Sequence, residues 1–349
     1  MQDRILLSRL HHRKTIGLHG VQFTERAQGF RIGSTTFASF PSTKNAALER
    51  YNTSPRFLII ISFAAVYLIW GGTYILNYWS LATFPPMFLA GSRFTVAGLV
   101  MLPFFTKRMG VVSSKQLLNA VLMGLLMLSL GTGSVVYALQ FVDTGLTALT
   151  VAFEPAIVVL LMWWILGNPP TMKTMAGVIL GIMGMTVLVT QKEIITDETT
   201  LFGLSLVLIA LVSWAVGSIY ISKLDMPASK GLSAAIQMLG AGLVLIVFSL
   251  AIGEDIPQVW LNYDLRAIIS WSVLVVFGSI IAYSAFNFLL LHTSPDKVAT
   301  TTYVNPVIAM ILGWSLNNEE VSAQSLIAAL ILLTGVFFIN TNKHGIKKT

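Results

Sequence analysis

Two short strings in the chain could do chemistry, and they match each other. The first is Val151-Ala152-Phe153-Glu154-Pro155-Ala156; the second is Thr302-Tyr303-Val304-Asn305-Pro306-Val307. Each sets a polar side chain before a proline inside a long apolar run. They lie 151 residues apart, and the same spacing pairs Ala148 with Ala299, Trp163 with Trp314 and Gly184 with Gly335. A proline removes a backbone N–H and crowds the carbonyl four residues earlier, here those of Val151 and Thr302. Either the two prolines only shape their helices, with neighbours re-satisfying the backbone, or the freed carbonyls join a site. A polar residue and a proline repeated in two apolar helices point to a solute site in a membrane transporter.

Glu154 carries the sharpest chemistry. It lies about eleven residues, or ~16 Å, into its apolar run, where an ionised carboxylate needs a partner or a wet cavity. Two readings stand. Glu154 binds a cationic solute group or takes up a proton during transport, or it pairs permanently with Arg93. Arg93 lies about eight residues, ~12 Å, into an earlier run, so the depths agree. Arg93 itself either ties down carbonyls with its planar fork or meets an anionic solute. Trp70, Tyr74, Asn77, Tyr137, Trp163, Trp214, Tyr220, Tyr283, Asn287 and Tyr303 join Glu154 and Asn305 as candidate cavity lining. Such aromatic and amide groups make apolar walls with a few polar points. Trp and Tyr also gather at membrane interfaces, the expected place of Trp79 and Trp260. Arg93, Gly71, Gly72, Pro155, Pro306 and Gln237 are candidates for structural or gating roles. Gly71-Gly72 serves either close packing or bending of its helix. Gly177-x-x-x-Gly181, Gly98, Gly240 and Gly242 read as close helix contacts.

The elements that must hold these residues follow from composition. The 349-residue chain is 55% hydrophobic and 11% charged, against about 25% charged for a soluble domain. Its apolar residues come in long runs, which makes it a multi-span membrane protein. Ten helices are expected, at 57–79, 86–105, 116–138, 143–166, 172–190, 201–222, 231–252, 267–291, 295–316 and 323–341. Five per repeat is an odd number, so the second repeat enters from the opposite face and the halves are inverted. The first two helices of each half match at a spacing of 144, which pairs Trp70 with Trp214 and Arg93 with Gln237. The change to 151 implies a longer loop in the second half, supplied by Gly253–Arg266. The expected layout is a basic N-terminal segment 1–56, a first repeat 57–190, a second repeat 201–341 and a short basic tail 342–349.

Charge sets the orientation. With a cytoplasmic N-terminus, the cytoplasmic loops and tail hold ten Lys/Arg and the outer loops only Lys192 and Arg266, a strong positive-inside bias. Residues 1–56 carry nine Lys/Arg against three acids, nearly all of the net charge of +7. They read as a disordered cytoplasmic tail or an over-long start, with a transit-like leader or a basic arm for anionic lipid or nucleic acid as alternatives. The chain has no Cys, which excludes disulfides and thiolate chemistry. His11-His12 lack metal-ligand spacing, and His292 reads as a surface histidine. No catalytic or P-loop motif is present, so no enzyme activity, metal or cofactor is expected. Uphill transport would then draw on an ion or solute gradient.

Ile69-Trp70-Gly71-Gly72-Thr73-Tyr74, Pro85-Pro86 with Gly91-Ser92-Arg93-Phe94, and Glu154-Pro155 with Leu166-Gly167 resemble the first half of an EamA-type drug/metabolite transporter. Ser213-Trp214-Ala215-Val216-Gly217-Ser218, Phe277-Gly278-Ser279-Ile280 and Tyr303-Val304-Asn305-Pro306-Val307 are similar to the second half of YedA-like exporters of bacterial inner membranes. The resemblance covers about residues 57–341. It implies an all-α protein of ten transmembrane helices in two inverted repeats, both termini cytoplasmic, exporting small metabolites or drugs. It departs from the pattern at Gly167-Asn168, where the family often has Gly-Glu, so an acid has no role there. The expected protein is an integral inner-membrane secondary transporter, monomeric or homodimeric, moving small amphipathic solutes such as amino acids by alternating access, with proton coupling through Glu154 in view. A nucleotide-sugar or sugar-phosphate antiporter is the alternative within the superfamily, although only Arg93 is placed to meet a phosphate. A non-transporting membrane scaffold or lipid-modifying enzyme is the alternative outside it.

Overall fold

A computed structural model describes residues 55–167, 169–191, 197–256, 264–299, 301 and 304–340. The expectations for residues 1–54, Asn168, Trp260, Tyr303 and the tail 342–349 lie outside these described residues. The described residues are helical throughout, with no strand among them. The helices are α1 Pro55–Ser80, α2 Pro86–Met101, α3 Ser114–Ala138, α4 Thr144–Val151, α5 Glu154–Leu166, α6 Met172–Val189, α7 Glu198–Ile221, α8 Lys230–Ala251, α9 Leu265–His292, α10 Pro295–Ala299, α11 Val304–Asn317 and α12 Ala323–Asn340.

Among the described residues, eight helical segments are long and apolar enough to cross a membrane, with α4 and α5 counted together as Thr144–Leu166. Their ends fall within a few residues of the first eight expected spans. Of the expected span 295–316, the described helical residues are α10 and α11, and residues 300, 302 and 303 between them lie outside the described residues. The last is the shorter apolar helix Ala323–Ile339. Many of the large residues facing outward are apolar, among them Leu68, Trp164, Val247, Leu330 and Phe337. That surface suits lipid, which offers no driving force for burying one apolar face.

Helix starts are fixed by local caps at most loop ends. Ser113 and Gln116 form a capping box on α3. Thr171, Asp197 and Asp264 cap α6, α7 and α9 through their own side chains. The hydroxyls of Thr200 and Thr199 hold the Asp197 carboxyl below the usual carboxylate range, so this exposed cap stays charged. By contrast, α2 and α4 have no side-chain cap of their own. Distant acids supply it. Glu254 accepts from the N–H groups of Met87 and Phe88, both at 2.9 Å. Glu319 accepts from the N–H and hydroxyl of Thr144 at 3.2 and 2.8 Å, and from the N–H of Gly145 at 3.1 Å. Orphan N–H groups and the positive helix end favour an anion there. The two carboxylates tie the second half of the chain to the first, on the face that carries the α1–α2 and α3–α4 turns.

Two helix pairs form the most extensive contacts, α2 with α8 and α6 with α12. Both are seams of small residues. A methyl group at Gly335 would lie 2.7 Å from the Gly177 carbonyl oxygen, and one at Gly242 would lie 2.8 Å from that of Gly91. Only glycine allows such backbone approach, which brings dispersion contacts within range along both helices. Gly177→Val therefore overpacks the α6–α12 seam and is expected to lower stability by about 1–3 kcal/mol. Gly72→Ala, where the nearest atom is 3.9 Å away, should leave it near wild type. Thermal unfolding of the two variants in detergent checks the contrast.

Candidate functional site

The chain breaks its fourth apolar run where the sequence places a proline. α4 ends at Val151, Ala152 and Phe153 form a turn, and α5 begins at Glu154 with Pro155 second. Pro155 has no N–H to offer Val151, and a proline early in a helix is tolerated because that donor is unpaired anyway. In the matching place Asn305 and Pro306 are the second and third described residues of α11, Val304–Asn317. Both prolines are buried.

Glu154 and Asn305 face one cavity of about 110 Å³. Trp70, Tyr74, Asn77, Arg93, Trp214 and Tyr283 also line it. Eight of the candidate residues thus meet around a single space, contributed by α1, α2, α5, α7, α9 and α11. Asn77 is three residues from the end of α1 at Ser80, whereas Trp70 is fifteen from its start at Pro55. At a rise of ~1.5 Å per residue, the cavity lies in the half of the bundle nearer the Glu254 and Glu319 face. Towards the other face it ends on a cluster of rings. Trp70 meets Trp214 edge-on at 5.5 Å and Phe286 at 4.9 Å, and Trp214 meets Phe286 at 5.3 Å and Tyr283 at 6.3 Å. The two tryptophans, equivalent by the spacing of 144, meet each other.

The polar groups are poorly satisfied, which is the informative feature. Arg93, 4% exposed, donates from Nη1 to Asn77 Oδ1 at 3.0 Å, and its Nε is buried without a partner. Asn305 Oδ1 is likewise buried and unpartnered. Glu154 is 5% exposed, and no hydrogen bond or ion pair to it is found among the described residues. The permanent Arg93–Glu154 pair is therefore not formed; Arg93 takes Asn77 instead. Buried polar atoms are normally paired by protein or water. Three unpaired groups lining one cavity have water or a solute as their remaining partner.

Other candidates sit elsewhere. Gln237 is fully buried, accepts from the Tyr283 hydroxyl and donates to Ser233 Oγ at 3.0 Å. Asn287 is buried and bonds the Tyr283 carbonyl at 3.0 Å, one turn earlier. Tyr137 lines a separate, shallower pocket with Gln140 and Glu254. Trp163 is 45% exposed on the outer side of α5, and Tyr220 is also exposed. Gly71 packs against Ile308 of α11, and α1 runs unbroken past Gly71-Gly72. Trp79 is covered by Arg266, whose guanidinium lies 3.6 Å from its ring centre.

Sequence reasoning missed the contribution of α3 and part of that of α9. Leu125–Gly133 and Leu274–Ile281 are π-helical stretches inside these helices. Such widened turns recur at functional sites. The Trp70 indole N–H donates to the Gly278 carbonyl at 3.2 Å, and Ser213 Oγ donates to the Leu126 carbonyl at 2.7 Å. Leu128, Gly131, Thr132 and Val135 form the α3 wall of the cavity. The string Gly131-Thr132-Gly133 was the one available sign of an irregular turn.

The EamA-like transporter family pattern matches residues 57–190 and again residues 201–341. The chain belongs to the EamA-like transporter family. It is 33% identical over 282 residues to the inner membrane transporter YedA of Escherichia coli, covering 80% of this chain and 90% of YedA. It is 26% identical over 286 residues to the transporter YoaV of Bacillus subtilis, covering 80% and 95%. A protein of Escherichia coli named "Probable amino-acid metabolite efflux pump" is 24% identical over 279 residues, covering 78% and 91%. A solved crystal structure shares the fold with a TM-score of 0.60 at 18% identity, covering 81% of this chain and 97% of that one.

In this EamA-family site, removing the Tyr283 hydroxyl leaves the buried Gln237 carbonyl oxygen without its donor. Tyr283→Phe is expected to cost about 1–3 kcal/mol. Tyr74→Phe, whose hydroxyl has no partner among the described residues, should cost clearly less. Unfolding midpoints of the two variants decide it.

Proposed function

We propose that this protein is a secondary transporter of the bacterial inner membrane that exports small amphipathic solutes, amino acids among them, by alternating access. The observation that carries this reading is the unpaired Glu154 carboxylate facing a cavity shared with Arg93 and Asn305. An acid that serves only as structure would be paired. Insertion into a membrane costs a central acidic side chain about 2.5–3.5 kcal/mol, which points to a use for it. Family membership and the transporter names of YedA and YoaV support the same class.

The architecture proposed is ten spans in two inverted five-helix repeats, with α10 and α11 together as the ninth span and α12 as the tenth. The duplicated family match, the meeting of Trp70 with Trp214 and the paired Glu-Pro and Asn-Pro strings support it. Loop charge favours both termini in the cytoplasm, which would make the face bearing Glu254 and Glu319 external. The cavity then lies on the external side, with the ring cluster as its cytoplasmic floor, and exchange of the two faces would follow rocking of one half on the other. Among the described residues Arg93 is the one cation lining the cavity, which argues against a phosphate-bearing solute.

The reading assigns proton coupling to Glu154. Its carboxylate would hold either a proton or a cationic solute group, and the two would exchange there. In reconstituted vesicles with an imposed pH gradient, Glu154→Gln should abolish pH-driven solute movement and also weaken counterflow of cationic solutes, since one carboxylate serves both. Gradient-driven transport with wild-type pH dependence in that variant would remove Glu154 from coupling.

A further inference from the structure

The cavity and the ring cluster occupy related places in the two halves, and comparing them says what fits the cavity. α3 starts at Ser114 and α9 at Leu265, which are 151 residues apart, the spacing that also relates Glu154 to Asn305. By that spacing Thr132 corresponds to Tyr283 and Val135 to Phe286. In the second half the two rings fill their space, and both side chains are almost fully buried around Trp70 and Trp214. In the first half the same two positions carry small side chains, and both line the cavity. The cavity therefore borders small side chains of α3 at the two positions where α9 carries the rings of Tyr283 and Phe286.

Size and chemistry agree with this. The cavity measures about 110 Å³, somewhat less than the ~150 Å³ apolar cavity that holds one benzene, which makes a single ring the upper limit of what it takes. Trp214 forms part of its wall, lying directly against Gly131 of α3, where an added methyl would come 2.9 Å from the indole. Aromatic pairs favour edge-on or offset contact with ring centres ~4.5–7 Å apart, the range that Trp214 already shows with three other rings. Glu154 lines the same cavity as the small residues of α3.

We propose that Thr132 and Val135 form a subsite for one aromatic ring of the solute, and that they determine its size, while Glu154 meets a cationic group on the same molecule. The solute class is a small aryl-alkyl ammonium compound, with or without further polar groups. This deepens the transport reading above and rests on it.

The test uses full-length protein in nanodiscs, with phenethylammonium, n-butylammonium and naphthylethylammonium as probes and binding followed by calorimetry. Wild type should bind phenethylammonium at least tenfold more tightly than n-butylammonium. Val135→Phe fills the subsite and should bring that ratio close to one. Val135→Ala, the milder change, should shift preference from the phenyl towards the naphthyl probe by several-fold. Either shift, with a folded protein by gel filtration, supports the subsite. Equal affinity of wild type for the phenyl and butyl probes, or a ring preference unmoved by both variants, overturns it while leaving the cavity as a solute site. Failure of wild type to bind any of the three, with counterflow also absent, overturns the transport reading and this inference together.

Discussion

The structure depends on how it accommodates a carboxylic acid deep in an apolar bundle. Glu154 shares its cavity with several polar side chains but bonds to none among the described residues, and the guanidinium of Arg93 is engaged by Asn77 rather than by the acid. A charge in low dielectric without a partner is costly, and proteins answer with a counter-ion, a proton or water. The first is not supplied among the described residues. The cavity is the physical consequence, because the acid, the Arg93 Nε and the Asn305 carbonyl oxygen all lack a partner among the described residues.

The rest of the bundle can be read as support for that space. Glycine seams bring α2 onto α8 and α6 onto α12, so the two halves of the chain are clamped at two edges. Glu254 and Glu319 reach across to cap α2 and α4. Between these fixed contacts, α1, α9 and α11 close on the cavity, and the break before Pro155 sets Glu154 at a helix start. The packing is not symmetric. α9 brings the rings of Tyr283 and Phe286 to the paired tryptophans, and α3 brings only Thr132 and Val135 to the matching positions.

Much of this was legible in the sequence. The spans followed from apolar runs, and the paired Glu-Pro and Asn-Pro strings located the site because a polar residue beside a proline has few other uses in an apolar helix. Eight of the candidate residues converge on one cavity for that reason. What could not be read was rotation about a helix axis. Trp163 and Tyr137 lie in the same two spans as Glu154 and Thr132, but membrane helices are apolar on every side, so the sequence carries no amphipathic stripe to say which side faces inward. The π stretches were hidden for a related reason: they change the residues per turn without a distinctive composition. The partner of Arg93 stayed open in the sequence because matching depth permits a contact with Glu154 and equally permits the one it makes with Asn77.

The claim on which the account turns is that water reaches Glu154 within the bundle. Hydroxyl-radical footprinting by X-ray radiolysis, on protein in nanodiscs and with each ring's rate normalised to the unfolded chain, measures this directly. The account predicts that Tyr74 and Trp214, which line the cavity, are oxidised well above Phe286, which lies in the dry ring cluster beneath them. Protection of Tyr74 and Trp214 as complete as that of Phe286 would contradict it.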